Sequence, residues 1–224
     1  DGHAFEQLKE RVFPDLLQQK RDSGAPIRVW SAGCSTGGEA YSLLIYLLEF
    51  LAEHGANDVR VQLFGTDISD KAIERARLGV YPDAAFRDVS PSRLARFFTR
   101  LEGGGYKINA AVREHCAFVK HDLATDPPFS KLDLVCCRNV LIYFGQELQR
   151  RVLATFHFAL NVPGFLLLGH AENVPEGTNL FDSIDKENKI FARTAVKSSL
   201  RLAPARDALP TVPPKPEPRL ATVP

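Results

Sequence analysis

Apolar residues follow two alternating rhythms along this chain. Short continuous apolar runs read as buried strands, and between them lie longer stretches at helical spacing. The runs are Ile27 to Ala32, Val59 to Thr66, Ala117 to His121, Leu132 to Cys137 and Phe165 to Leu168. Helical spacing marks residues 4–20, where Phe5, Leu8, Val12 and Leu16 share a face and Pro14 is expected to distort the helix. It recurs from Ala40 to about Glu53, with Ala40, Leu43, Leu44, Leu47, Leu48 and Leu51 on one side and Gly55 just past the end. A third helix is bounded by Ser69 as N-cap and Gly79 as stop, and a fourth runs from Gly145 to Leu160 with Leu148, Val152, Leu153 and Phe156 facing inward. Strand–helix alternation of this kind predicts an α/β, doubly wound, mostly parallel sheet. Phe181 to Ile184 and Lys189 to Arg193 lie close together and read as a closing hairpin, which brings the sheet to seven strands.

Residues 80–115 break the alternation. Ser90-Pro91 opens a short helix, Ser92 to Thr99, and Gly103-Gly104-Gly105 is a turn. Tyr106-Lys107-Ile108 and Ala111-Val112-Arg113 read as short antiparallel strands. The segment is expected to be a small antiparallel β-subdomain inserted on the main sheet. Residues 1–26 form an N-terminal helix and linker, and residues 27–195 the main domain. From Val196 to Pro224 prolines cluster, as in a linker or disordered tail.

Composition narrows the partners. Lysine plus arginine is 28 and aspartate plus glutamate 27, so the chain lacks the basic excess of a nucleic-acid or anionic-membrane binder. No apolar run is long enough to cross a bilayer, and no signal peptide is expected. The four cysteines, Cys34, Cys116, Cys136 and Cys137, form no C-x-x-C pair, so no metal site is expected. Three fall in or beside strands, as buried free thiols of a cytoplasmic protein do. The chain starts at Asp1 and has no methionine, and it reads as a piece of a longer protein.

Chemistry concentrates after the first strand, in Ala32-Gly33-Cys34-Ser35-Thr36-Gly37-Gly38-Glu39. A strand, a tight glycine turn and a helix start in that order form a ligand site at the strand's carboxyl end, with helix N–H groups facing the ligand. A triphosphate loop needs a lysine and a hydroxyl residue after its last glycine, and Glu39-Ala40 stand there instead. The dinucleotide spacing also fails, because Ser35 occupies the place of its second glycine. Glu39 would repel a diphosphate but suits a ligand with an amino group. S-adenosylmethionine carries an ammonium, a sulfonium and a ribose, and no phosphate. A plain strand-to-helix turn without a ligand is the competing reading.

The remaining candidates also stand at strand ends. Asp67 is placed to accept both hydroxyls of a ribose, against the alternative of a helix-capping aspartate before Ser69. Asp122 is placed to meet an adenine amino group while Leu123 packs on the ring, or else is a solvated loop acid. Asn139 offers donors and acceptors, and Arg138 a fixed cationic fork. Tyr143 lies one helical turn beyond Asn139, either facing the same cleft or packed in the core. His170 and Glu172 form a polar pair at the rim or a structural polar cluster.

Five stretches give the chain a family resemblance. They are Arg28-Val29-Trp30-Ser31-Ala32-Gly33-Cys34-Ser35-Thr36-Gly37, Gly65-Thr66-Asp67-Ile68, Ala76-Arg77-Leu78-Gly79-Val80-Tyr81, Cys137-Arg138-Asn139-Val140-Leu141-Ile142-Tyr143-Phe144 and Gly169-His170-Ala171-Glu172-Asn173. In this order, across roughly residues 5–193, the chain resembles the chemotaxis receptor glutamate methyltransferases of the CheR type. Asp126-Pro127-Pro128-Phe129-Ser130-Lys131-Leu132-Asp133-Leu134 resembles the versions fused to further signalling domains. The resemblance implies a class I methyltransferase-like, Rossmann-like fold, S-adenosylmethionine as cofactor with S-adenosylhomocysteine as product, and methyl transfer to a glutamate of a chemoreceptor cytoplasmic domain. It implies a cofactor site at Gly33, Ser35, Thr36, Gly37, Glu39, Asp67, Ile68, Asp122, Leu123, Arg138, Asn139 and Val140, with Tyr143 and Arg138 orienting the reacting groups. The 80–115 insert matches a subdomain that docks some receptor tails. The family has Gly-Glu-Glu where this chain has Gly37-Gly38-Glu39, so Gly38 removes a carboxylate expected at the cofactor's amino end. The family's Phe-Phe-Arg cover segment would fall just before Asp1. Both departures imply weaker cofactor binding. The alternative implied is a weak or inactive cofactor-binding regulatory module.

Overall fold

The computed structural model describes residues 2–175 and 177–196. The chain begins with α1 (Gly2–Arg11), α2 (Phe13–Ser23), β1 (Ile27–Ala32), α3 (Gly38–Glu53), β2 (Val61–Asp67) and α4 (Asp70–Leu78). The insert follows as β3 (Val80–Tyr81), a 3-10 turn, α5 (Pro91–Phe97), β4 (Phe98–Arg100), β5 (Tyr106–Ile108) and α6 (Ala110–Arg113). The chain then returns through β6 (Cys116–Lys120), β7 (Leu132–Cys137), a second 3-10 turn (Leu141–Tyr143), α7 (Gln146–Ala159), β8 (Leu160–Leu168), β9 (Phe181–Asp185) and β10 (Ile190–Arg193).

Seven strands form one sheet in the order β6-β2-β1-β7-β8-β10-β9. The first five in that order are parallel, and the hairpin β9–β10 adds antiparallel to β8. The sequence reading of a parallel sheet closed by a hairpin is therefore the observed topology. β1 is central, and its alternation splits the core. Ile27 and Val29 pack under α1, α2 and α3, while Trp30 and Ala32 face Phe64, Phe129 and α7. From β1 the strands β2 and β6 are added on one side and β7 and β8 on the other, so the crevice of a doubly wound sheet opens between β1 and β7.

Three expectations are corrected. The helix over 4–20 is two helices. Pro14 has no N–H and its ring would strike the carbonyl four residues back, so the chain restarts at Phe13 with Pro14 in the first turn of α2, where no intrahelical donor is lost. Ala111-Val112-Arg113 is not a strand but part of α6, whose alanines favour the helical turn. The insert's three-stranded sheet instead has the order β3-β5-β4, formed from runs too short to show period-two alternation. β8 begins at Leu160, earlier than its apolar run. The register shifts between Leu132 and Leu134, which lets Pro163 lie in the strand without a ladder bond. The proline-rich segment expected after Val196 lies outside the described residues.

A buried polar tie fixes the amino-terminal edge of the sheet. Asp133, fully buried in β7, accepts from Lys20 Nζ at 2.8 Å, Asn161 Nδ2 at 2.7 Å and the Arg28 amide at 2.8 Å. One carboxylate thus joins α2, β1 and β8. Removing it would leave a buried ammonium and a buried amide unpaired. Asp133→Ala is expected to lose about 3–5 kcal/mol in urea unfolding, far more than a surface aspartate such as Asp58.

Candidate functional site

The loop after β1 turns left-handed at Gly33 (φ 71), Ser35 (φ 48) and Gly37 (φ 85). Two of these positions require glycine for space as well. A Cβ on Gly33 would lie 2.3 Å from Val140 Cγ2, and one on Gly37 would lie 2.8 Å from Ala76 Cβ. Gly33 thus lets the loop after β7 close onto the loop after β1. Gly37 is the N-cap of α3, and no side chain caps that helix start. Thr36 is held through its carbonyl, which accepts the Tyr81 hydroxyl at 2.8 Å, so the insert braces the loop.

Asp67 sits at the end of β2, and its carboxylate accepts from the Ser35 amide and the Ser69 amide, both at 2.9 Å. It joins the two strand-end loops. The α4 cap is Ser69, whose hydroxyl accepts from Ala72. The alternative of Asp67 as the helix cap is set aside by that bond. Ile68 beside it is 64% exposed. After β6, Asp122 folds into a local turn, accepting from the Ala124 amide at 2.8 Å, and Leu123 packs against the Trp30 side of the core.

Glu39 and Arg138 meet across the crevice. Arg138 Nη1 donates to Glu39 Oε2 at 2.9 Å, and the Cys136 thiol donates to Oε1 at 3.4 Å. The Arg138 side chain is 7% exposed and that of Glu39 is 29% exposed. The guanidinium also lies 5.7 Å from the centre of the Phe5 ring. Arg138 therefore lies largely buried on Glu39, at the edge of the crevice. Burial and the Glu39 charge push the Cys136 thiol well up, and burial pushes Cys34 up to about 12. These thiols stay protonated at neutral pH and are no nucleophiles.

The expected His170–Glu172 pair is not formed. His170 is exposed, and Glu172, 4% exposed, turns to the backbone. Its Oε1 accepts from the amides of Val140 at 2.8 Å and Leu141 at 2.7 Å, and its Oε2 from those of Asn139 at 3.0 Å and Gly169 at 2.7 Å. Four N–H groups from the ends of β7 and β8 converge on one carboxylate. This holds Asn139 left-handed (φ 58) and sets the turn that carries Tyr143. Spacing alone gave no sign of this role, because the donors are backbone amides of a distant loop. Tyr143 is 79% exposed at the mouth, so it is not a packed core aromatic.

Gly33, Ser35, Glu39, Asp67, Asn139 and Val140 thus converge at the carboxyl ends of β1, β2 and β7, while Asp122 and Leu123 flank them from β6. The residues fit S-adenosylmethionine. Glu39, 29% exposed at the crevice, is an acid that an ammonium can approach, its pull lowered by Arg138 and by the N–H dipoles of the helix start, and a Cβ at Gly38 would approach only Tyr81 Cε1, at 4.0 Å. Among the described residues no group of three or more histidines, cysteines or acids could hold a metal, and no helix is long and apolar enough to cross a membrane.

Strand order and site together are those of a Rossmann-like, doubly wound α/β domain with a ligand crevice at its switch point. Residues 1–190 match the family of the CheR methyltransferase SAM-binding domain, and the chain belongs to that family. It is 38% identical over 182 residues to chemotaxis protein methyltransferase 1 of Pseudomonas aeruginosa, covering 79% of this chain and 66% of that protein. It is 34% identical over 189 residues to a probable chemotaxis protein methyltransferase of Rhizobium etli, covering 82% of this chain and 69% of that protein. An uncharacterized 104.1 kDa protein of Rhodobacter capsulatus is 36% identical over 85% of this chain, which spans only 20% of that protein's length. Among solved structures, magnesium protoporphyrin IX methyltransferase from Synechocystis, with bound SAH, aligns at TM-score 0.36 and 19% identity over 74% of this chain and 57% of that one.

The Glu172 carboxylate gives a direct test of the site's construction. Glu172→Gln replaces one oxygen by an amide that opposes two N–H donors. Thermal unfolding should show a loss of about 3 kcal/mol, and hydrogen exchange should speed up at Asn139, Val140 and Leu141 before the rest of the sheet.

Proposed function

We propose that this domain transfers the methyl group of S-adenosylmethionine to a glutamate side chain of a chemoreceptor cytoplasmic domain, as a cytoplasmic protein-glutamate O-methyltransferase within a larger signalling protein. The observation that carries the reading is the convergence of the β1 loop, Glu39 and Asp67 with the Glu172-held loop of Asn139 and Tyr143. The chemotaxis methyltransferase names of its relatives support the receptor as acceptor.

Bound cofactor supplies a methyl group on a sulfonium, a leaving group that needs no proton. The chain's residues then have three tasks. The first is to hold the donor. Gly33, Thr36 and Gly37 line its approach, and Glu39, kept in place by Arg138, faces its ammonium. Asp67 offers the ribose hydroxyls the lone pairs left after Ser35 and Ser69. Ile68 covers the sugar, while Asp122 and Leu123 meet the adenine. The second task is alignment, which falls to Asn139, Val140 and Tyr143 on the loop between donor and acceptor. The third is exclusion of water, to which the exposed apolar groups Ile68 and Tyr143 contribute once the acceptor protein covers them. No general base is required, because a glutamate carboxylate is already ionised at neutral pH.

The test is transfer of labelled methyl from S-adenosylmethionine to a receptor cytoplasmic fragment, with calorimetric titration of cofactor and product. Tyr143→Phe should slow transfer about tenfold or more with cofactor affinity unchanged. Turnover equal to wild type would remove the tyrosine from the mechanism. A second reading, a module that binds cofactor or product without transfer, is favoured by Gly38 together with the engagement of Glu39 by Arg138. Binding without transfer would select it. Gly38 is helical, and its Cβ direction is open. Gly38→Glu should therefore tighten cofactor binding about tenfold, the worth of one charge-assisted hydrogen bond.

A further inference from the structure

The insert reaches the loop after β1 through one hydroxyl. Tyr81, in β3, donates from its Oη to the carbonyl of Thr36 at 2.8 Å. The amide of the same peptide unit, that of Gly37, donates to the Cys34 carbonyl at 2.9 Å. Both polar ends of the Thr36–Gly37 peptide are therefore used, one by the insert and the other by the β1 loop itself. This peptide stands directly before the uncapped start of α3, where Gly38 and Glu39 open the helix. Gly37 is left-handed (φ 85) and, as a glycine, free to swing, so the shape of the loop here depends on the contact that pins the planar unit before it.

Tyr81 itself has little freedom. Its strand pairs with β5, Val80 opposite Lys107 and Tyr81 opposite Tyr106. A Cβ on Gly105 would lie 2.5 Å from the Tyr81 carbonyl oxygen, so the turn between β4 and β5 closes on its backbone. Its ring meets Tyr41 of α3 edge-on with centroids 6.3 Å apart, and Phe86 of the insert at the same distance. Burial pushes the phenol up, so the hydroxyl keeps its proton and stays a donor at neutral pH. A second tie lies further along α3. Arg93 of α5 donates to Glu49 from Nε at 2.9 Å and from Nη2 at 2.7 Å, and its guanidinium lies over the Tyr46 ring at 4.0 Å. The insert is thus fastened to the body of α3 by Arg93 and to the loop before it by Tyr81.

We infer that Tyr81 is a positioning residue for the methyl donor, its hydroxyl fixing the Thr36–Gly37 peptide so that the insert and the donor site are energetically coupled. The inference rests on the proposed seat of S-adenosylmethionine over the β1 loop, and it adds that the insert shares in holding the donor. Coupling of this kind is reciprocal. A donor that settles on the loop steadies β3 and β5, and loosening β3 weakens the hold on the donor. Neither effect needs the insert to touch the ligand.

The test needs no turnover. Binding of S-adenosylhomocysteine to the full chain is measured by calorimetry, and amide hydrogen exchange is followed with and without it. Tyr81→Phe should raise the dissociation constant about fivefold, the scale of one lost hydrogen bond. Placing 4-aminophenylalanine at position 81 keeps an N–H donor at the same point and should restore the affinity. Tyr106→Phe removes a hydroxyl from the neighbouring strand, where it accepts from Arg100, and should leave the affinity unchanged. In wild type the ligand should slow exchange at residues 33–39 and also at Ile108, whose amide donates to the Gly79 carbonyl beside β3. In Tyr81→Phe the protection of Ile108 should be lost while that of the loop remains. Unchanged affinity in Tyr81→Phe, no recovery with the amine, an equal loss in Tyr106→Phe, or full protection of Ile108 in Tyr81→Phe would each overturn the inference and leave the donor's seat standing. Absence of protection at residues 33–39 in wild type would remove the seat itself, and the inference with it.

Discussion

The carboxylate of Glu172 is the contact on which the functional end of this domain depends. Loops that end parallel strands expose N–H groups that the sheet no longer satisfies, and leaving several of them buried and unpaired costs more than most single contacts return. Here four are gathered onto one charged acceptor that is itself almost fully buried. The charge is compensated by aligned amide dipoles in place of a cation. The close fit shows at Gly169, where a Cβ would lie 2.7 Å from Glu172 Oε2 and 2.9 Å from the Asn139 amide nitrogen. With this loop fixed, Val140 can lean on Gly33, and the two sides of the switch point acquire a defined separation.

Asp67 does the same work on a smaller scale one strand further out. It ties the β1 loop to the turn before α4, and so shapes the loop at the end of the central strand. Asp133 repeats the device at the opposite edge, with α2 as one of its partners. In each case a short acidic side chain stands where several elements meet and accepts from the backbone or from a buried donor. Site geometry and fold stability are therefore coupled at Glu172 and Asp67, and a substitution at either acts on both, whereas Asp133 bears on stability.

The pairing of Glu39 with Arg138 links the site to the amino-terminal helices. The guanidinium bridges an acid at the start of α3 and the ring of Phe5 on α1, so the packing of α1 bears on the field at the crevice. An acid with a buried cation beside it attracts a ligand's ammonium less than an unpaired acid would. Gly38, with open space at its Cβ, is where a second carboxylate would restore that attraction.

Much of this was written in the chain itself. The apolar rhythm determined the five parallel strands and the closing hairpin, because buried strands need continuous apolar runs and amphipathic helices a striped face. Gly33, Gly37, Asp67 and Asn139 were legible as residues of the strand-end loops, because the strand–turn–helix order places them there. Only the tertiary structure decided what the side chains do there. Arg138 lies largely buried because Glu39 stands across the crevice from it. Glu172 left its neighbour His170 because four amides from two loops offered a better partner than one imidazole. The break at Val12 followed from Pro14, which the sequence already marked, while the helical turn at Ala110–Arg113 was too short for periodicity to register. Contacts between residues far apart in sequence leave no spacing to read, and it is such contacts that build the site's charge and shape.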